Sequence, residues 1–198
     1  MLSLTSAIRS TIDRLRDGSL SPLGKLLTVF GFAAITAIGA KVEIAAGSVP
    51  TTLQTLGVYG SGLFLGPLYG FLSQLLYLIA GLFVPVTAGD GVGFAYITSR
   101  VSSGYLLAFP LVSALIGYCS IRWNSFVGSL ISIEMGSLLL FFCGVNWLSA
   151  AIDDYSLWSA MHDGWFLFIP ADKSKILLVA LIYTLARKSF SHSDSAKT

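Results

Sequence analysis

Residues 52–86 read TLQTLGVYGSGLFLGPLYGFLSQLLYLIAGLFVPV, from Thr52 to Val86, without one charged side chain. A helix of about 20 mainly apolar residues crosses the ~30 Å hydrocarbon core of a bilayer. This run is too long for one crossing, and it is punctuated once, at Gly66-Pro67. Proline cannot continue a helix, and glycine accepts the turn before it. The stretch predicts a second and a third membrane helix joined by a tight turn.

Working outward, a first apolar helix runs from Leu23 to Lys41, a fourth from Ser103 to Ile121, a fifth from Ser125 to Ala150 and a sixth from Pro170 to Arg187. Composition agrees. Of 198 residues, 55% are hydrophobic and 11% charged, and mean hydropathy is +0.79. Soluble domains carry roughly 25% charged residues to cover their surface. An ordinary soluble enzyme, a nucleic-acid binder and a disordered chain are excluded. A net charge of +2 is too small to argue for a phosphate-rich partner. The fold class is an all-α integral membrane protein with six transmembrane helices.

Residues 1–22 form an expected N-terminal amphipathic segment. Leu4, Ile8, Ile12 and Leu15 recur at helical spacing among Arg9, Arg14 and Arg16, a pattern for a helix lying on a membrane surface. The six-helix domain takes residues 23–188, and 189–198 form a polar, disordered tail. With six crossings, Arg9, Arg14, Arg16, Lys25, Arg122, Arg187, Lys188 and Lys197 share one side. Only Lys41, Arg100, Lys173 and Lys175 take the other. Basic residues stay cytoplasmic, so both termini are expected inside.

The connections on the inner side are tight, whereas those on the outer side, 42–51, 87–102 and 151–169, are long. Long connections in compact proteins are usually functional or disordered, so an outward-facing site is expected. The most pointed local signal is the run from Phe168 to Lys175, FIPADKSK. The apolar stretch after it is too short to span alone and draws Asp172 and Lys175 toward the membrane. An ionisable group at the centre of such a helix costs roughly 2.5–3.5 kcal/mol. Three residues apart, the two share a face, which suits a polar ligand or a capping and anchoring pair. Glu134, deep in the fifth segment, needs a partner such as Arg122 or the helix end. Gly89, Gly91 and Gly93 around Asp90 permit close backbone approach to a ligand. No phosphate-binding loop is present, and Cys119, Cys143, His162 and His192 lack metal-site spacing. Neither cofactor nor metal is expected.

Several ordered motifs resemble one family. Val49 to Leu56 (VPTTLQTL), Leu65 to Gly70 (LGPLYG), Gly81 to Val86 (GLFVPV), Ser103 to Phe109 (SGYLLAF), Gly144 to Leu148 (GVNWL) and Phe168 to Lys175 follow the order of the BioY family. They span about residues 25–188. That resemblance implies a biotin-binding S component of an energy-coupling-factor (ECF) transporter, capturing biotin at the outer face. It implies no enzymatic activity, and as partners a transmembrane coupling subunit and a pair of ATPases. It also implies substrate contacts at Asp172, Lys175, Asp90, Tyr105 and Gln54, and a small-xxx-small partner interface at Ala33 and Ala37. This sequence departs from the family pattern at Ala171, Lys173 and Arg100–Ser103. Arg100 adds a cation suited to a carboxylate. Biotin's ureido N–H groups suit Asp172, and its carbonyl or carboxylate suits Lys175 or Arg100. Other readings are an S component for riboflavin or thiamine, an adaptor, and a membrane enzyme using Asp172 or Glu134.

Overall fold

The computed structural model describes residues 11–16, 19–44, 51–123 and 125–195. Helix α1 (Thr11–Arg16) precedes α2 (Pro22–Ala40). Two short strands, β1 (Glu43–Ile44) and β2 (Thr51–Thr52), pair antiparallel, with Glu43 opposite Thr52. Then come α3 (Gln54–Gly81), α4 (Phe94–Thr98), α5 (Ser103–Arg122), α6 (Phe126–Ala151), α7 (Leu157–Gly164), a 3-10 turn (Phe166–Phe168) and α8 (Ile169–Ser195). Local chemistry sets several starts. The hydroxyls of Ser21, Ser125 and Ser156 accept N–H bonds from Gly24, Gly128 and Ser159, satisfying donors that a first turn leaves unpaired.

Helix α3 is two helices. Gly66 sits at φ +75°, ψ −173°, a conformation that L side chains rarely adopt, and the chain reverses there. Gln74 Nε2 donates to Ser61 Oγ at 3.0 Å, and Gln54 Nε2 donates to Tyr77 Oη at 2.5 Å. Residues 54–65 and 67–81 therefore run antiparallel as a hairpin. The turn lies flat on α5, where a Cβ at Gly117 would fall 2.4 Å from Gly66 C. Thr36 Oγ1 bonds Gln74 Oε1 at 3.2 Å, and the Ser61 and Ser113 hydroxyls bond at 2.8 Å. A fully buried polar network thus ties α2, both arms of α3 and α5 together. Satisfied networks of this kind fix one packing arrangement, because each unpaired member would be costly.

Among the described residues α2, α5 and α6 are each long and apolar enough to cross a membrane, as is α3 when taken across its Gly66 kink as one helix. Their outward faces carry exposed Leu23, Ile38, Leu68, Val127 and Phe142, far more apolar surface than a water-soluble domain leaves uncovered. The molecule is a mostly helical membrane protein. Helix α8 is less apolar because Asp172, Lys173 and Lys175 stand in its first two turns.

The terminal segments differ from expectation. Residues 1–10, with Leu4, Ile8 and Arg9, lie outside the described residues. The described part, α1, does not lie along a surface. Ile12 is 1% exposed within the core, and Arg16 donates from Nη1 to Tyr183 Oη at 2.6 Å and from Nη2 to Ser120 Oγ at 2.8 Å. The apolar edge of α1 finds cover among α3, α5 and α8 instead of lipid. At the other terminus the polar segment after residue 188 continues α8 as helix through Ser195. Ala33 and Ala37, expected on a partner interface, pack inward. Ala33 is 8% exposed in the core and Ala37 packs against it. The small residues here allow α2 to approach this chain's own helices, and the exposed edge of α2 is Phe30, Gly31, Ala34, Ile35 and Ile38.

Candidate functional site

The three long connections converge on one cavity. Residues 51 and 52 come from the first, 87, 88, 100 and 102 from the second, and 164 and 168 from the third. Helices α3, α5, α6 and α8 supply the remaining walls. About 90 Å³ is open to the centre of a water-sized sphere, against the ~10–15 Å³ that one water needs. The site is large enough for a small organic molecule.

Asp172 is its most buried ionisable group, at 4% exposure. Tyr59 Oη donates to Oδ1 and Ser137 Oγ donates to Oδ2, both at 2.6 Å. Tyr59 comes from the first arm of α3 and Ser137 from α6, so three helices lock the carboxylate in place. Each carboxylate oxygen accepts more than one bond, which leaves acceptor capacity for a ligand. Lys175, one turn along α8, donates from Nζ to the Thr52 carbonyl at 2.7 Å. That bond joins α8 to the strand strap. Neither Tyr59 nor Ser137 was legible as a site residue, since a tyrosine and a serine inside apolar runs look like ordinary helix core.

Arg100 also lines the cavity. Its Nη1 donates to the Ala88 carbonyl at 2.5 Å, and its guanidinium lies 4.8 Å from the centre of the Tyr96 ring. Among the described residues it has no carboxylate partner. Tyr105 contributes a ring edge and anchors the third connection by donating to the Gly164 carbonyl at 2.7 Å. Its ring meets Phe141 edge-on, and Phe141 stacks on Trp165 at 5.7 Å. These rings give one side of the cavity a flat apolar surface. Gln54 also lines the cavity, with its amide held by Tyr77 and by the Thr52 hydroxyl at 2.7 Å.

Five of the six expected substrate residues, Asp172, Lys175, Tyr105, Arg100 and Gln54, therefore meet at one place. Asp90 does not. Its side chain is fully exposed and lies 3.7 Å from Lys41 Nζ. Here the glycine loop serves as a fastening, since Gly89 N donates to Glu43 Oε1 and Gly89 O accepts from Lys41 Nζ, both at 2.7 Å. Glu134 has a partner other than Arg122. Lys173 Nζ donates to it, on the face of α8 turned away from the cavity, while Arg122 bonds Tyr118 Oη. Among the described residues no group of acidic, histidine and cysteine side chains is arranged to hold a metal.

With Arg100, Asp172 and Lys175 ionised, the charged wall residues sum to +1. Such a cavity complements a small molecule with one negative charge, an apolar body and N–H donors for a fixed carboxylate.

A family model described as the BioY family matches residues 11–192. The "Probable biotin transporter BioY" of Pyrococcus horikoshii is 45% identical over 87 residues, covering 43% of this chain and 53% of that relative. The "Biotin transporter BioY" of Thermotoga maritima is 32% identical over 158 residues, 79% of this chain and 92% of the relative. The chain thus spans about half the length of the first and most of the second. A crystal structure of the S-component for biotin from an ECF-type ABC transporter superposes with a TM-score of 0.76 at 27% identity. That match covers 85% of this chain and 95% of the other.

Proposed function

Because this chain belongs to the BioY family, we propose that it is the membrane-embedded S component that captures biotin for an ECF-type importer. The observation that carries the reading is the buried Asp172 carboxylate, oriented by Tyr59 and Ser137 in a cavity whose other charges are two cations. Biotin presents the complement: ureido donors, a ureido carbonyl, an apolar ring and a carboxylate.

Asp172 accepts a ureido N–H. Lys175, on the same face of α8, donates to the ureido carbonyl. Arg100 pairs with the carboxylate, because among the described residues no carboxylate answers its guanidinium. Tyr105 and Phe141 cover the ring, and Gln54 holds the strand strap over the loaded site. The BioY family are transport proteins, so the enzyme reading of Asp172 and Glu134 is set aside.

The two arms of α3 and helix α8 bring the crossings to six, with both termini cytoplasmic, as the basic-residue asymmetry requires. The cavity then opens outward from the cytoplasmic membrane. Release inward needs a coupling subunit and ATPases on other chains, consistent with the missing phosphate loop. The test is uptake of labelled biotin by cells expressing this chain with and without an ECF module, with riboflavin and thiamine as competitors. Accumulation that depends on the module and yields only to unlabelled biotin supports the reading. Competition by riboflavin or thiamine, or no uptake in cells that make folded protein, overturns it.

A further inference from the structure

Among the described residues, two hydroxyls in the cavity wall have no partner. Thr87 is 1% exposed, lines the cavity, and its Oγ1 makes no hydrogen bond; Thr55 Oγ1 is likewise buried and unpaired on the same wall. Buried hydroxyls are nearly always satisfied, and an orphan calls for a ligand or a water. The second arm of α3 ends at Gly81, where a Cβ would meet the Thr87 methyl at 3.0 Å. The methyl therefore packs against the helix and leaves the hydroxyl to the cavity.

Arg100 stands beside Thr87. Residue 88, next to Thr87, is the one whose carbonyl anchors the Arg100 guanidinium at 2.5 Å. A guanidinium has five N–H donors, so an anion on the cavity side of Arg100 lies beside the Thr87 hydroxyl. Thr55 belongs with the Asp172–Lys175 pair, three residues after Thr52, whose carbonyl takes Lys175, and one turn before Tyr59, which holds Asp172.

Building on the biotin reading, we infer that Thr87 donates to the ligand's carboxylate. With Arg100 it forms a carboxylate-recognising subsite. This bond makes the site selective for a free acid over its amide.

The test is equilibrium binding of biotin and of neutral biotinamide to detergent-purified protein, comparing wild type with Thr87→Val, Thr87→Ser and Thr55→Val. A hydrogen bond to a charged acceptor is worth enough to change affinity roughly tenfold or more. Thr87→Val is expected to lose about that factor for biotin and under about threefold for biotinamide, and Thr87→Ser to keep wild-type affinity. Thr55→Val, beside the residues that hold Lys175 and Asp172, should not separate biotin from biotinamide. Without ligand, Thr87→Val should melt no lower than wild type, since valine removes an unpaired hydroxyl. Opposite effects on stability and affinity are what a purely structural threonine does not give. Wild-type binding by Thr87→Val, or equal losses for both ligands, overturns the inference while leaving biotin as the ligand. Absence of biotin binding by folded wild type overturns the functional reading and this inference with it.

Discussion

Gly144→Ala tests the packing behind the site. A Cβ at this position of α6 would stand 2.0–2.2 Å from three atoms of the Tyr105 ring, so the ring must move. Overpacking of this kind costs about 1–3 kcal/mol. The displaced ring also releases the Gly164 carbonyl, another ~1 kcal/mol. Less the ~0.5–1 kcal/mol by which alanine exceeds glycine in a helix, the net loss is about 1–3.5 kcal/mol, which lowers the melting temperature by roughly 2–14 °C for a chain of this size. In a Tyr105→Ala background the obstacle is gone, and the same change gains the ~0.5–1 kcal/mol by which alanine exceeds glycine inside a helix. The effect should reverse sign between backgrounds. Differential scanning fluorimetry of the four proteins in one detergent measures it. A Gly144→Ala protein as stable as wild type, or equal destabilisation in both backgrounds, refutes the Tyr105 placement.

Arg16→Ala removes the charged donor that joins α1 to Tyr183 and Ser120. A loss of about 1.5–3 kcal/mol for each such bond, seen as a lower melting temperature, is expected. Glu134→Leu alone should destabilise by leaving Lys173 without its partner on an outward face. Glu134→Leu with Lys173→Leu should recover most of that loss, because an apolar pair replaces a costly ionic one. Asp163, in the connection outside the spans, is held below the usual carboxylate range by the Tyr155 hydroxyl first and then by His162. A depressed carboxylate contributes stability fully above its unfolded value near pH 4 and loses it as pH falls through the lower folded value. Amide protection in α7 should therefore weaken only in acid, and Tyr155→Phe should shrink that acid-dependent loss and complete it at a higher pH.

Apolar length and one Gly-Pro step were enough to read the α3 hairpin, because backbone rules act locally and leave marks in the sequence. Asp172 and Lys175 stood out for the opposite reason, since charges in a membrane helix are conspicuous. Tyr59, Ser137 and Thr87 could not be found that way. A hydroxyl inside an apolar run carries no sign of which helix it will meet, and only the packing of α3, α6 and α8 makes two of them ligands of one carboxylate. The small residues Ala33 and Ala37 report close helix approach without saying to which neighbour, and here they pack against the chain's own core. Asp90 shows the same limit, since its flanking glycines mark a tight loop and leave the direction of its side chain open. Glu134 and Lys173 are 39 residues apart, and no local pattern joins them.

The central claim is that Asp172, oriented by Tyr59 and Ser137, holds biotin's ureido group. Isothermal titration of biotin into detergent-purified wild type and Asp172→Ala tests it most directly, with melting temperature recorded on the same samples. Removing Asp172 raises the positive charge of the cavity, so attraction of the carboxylate alone would make the variant bind biotin more tightly. The account predicts tight binding by wild type and at least about a tenfold loss in a variant that remains folded. Equal or tighter binding by folded Asp172→Ala would contradict it.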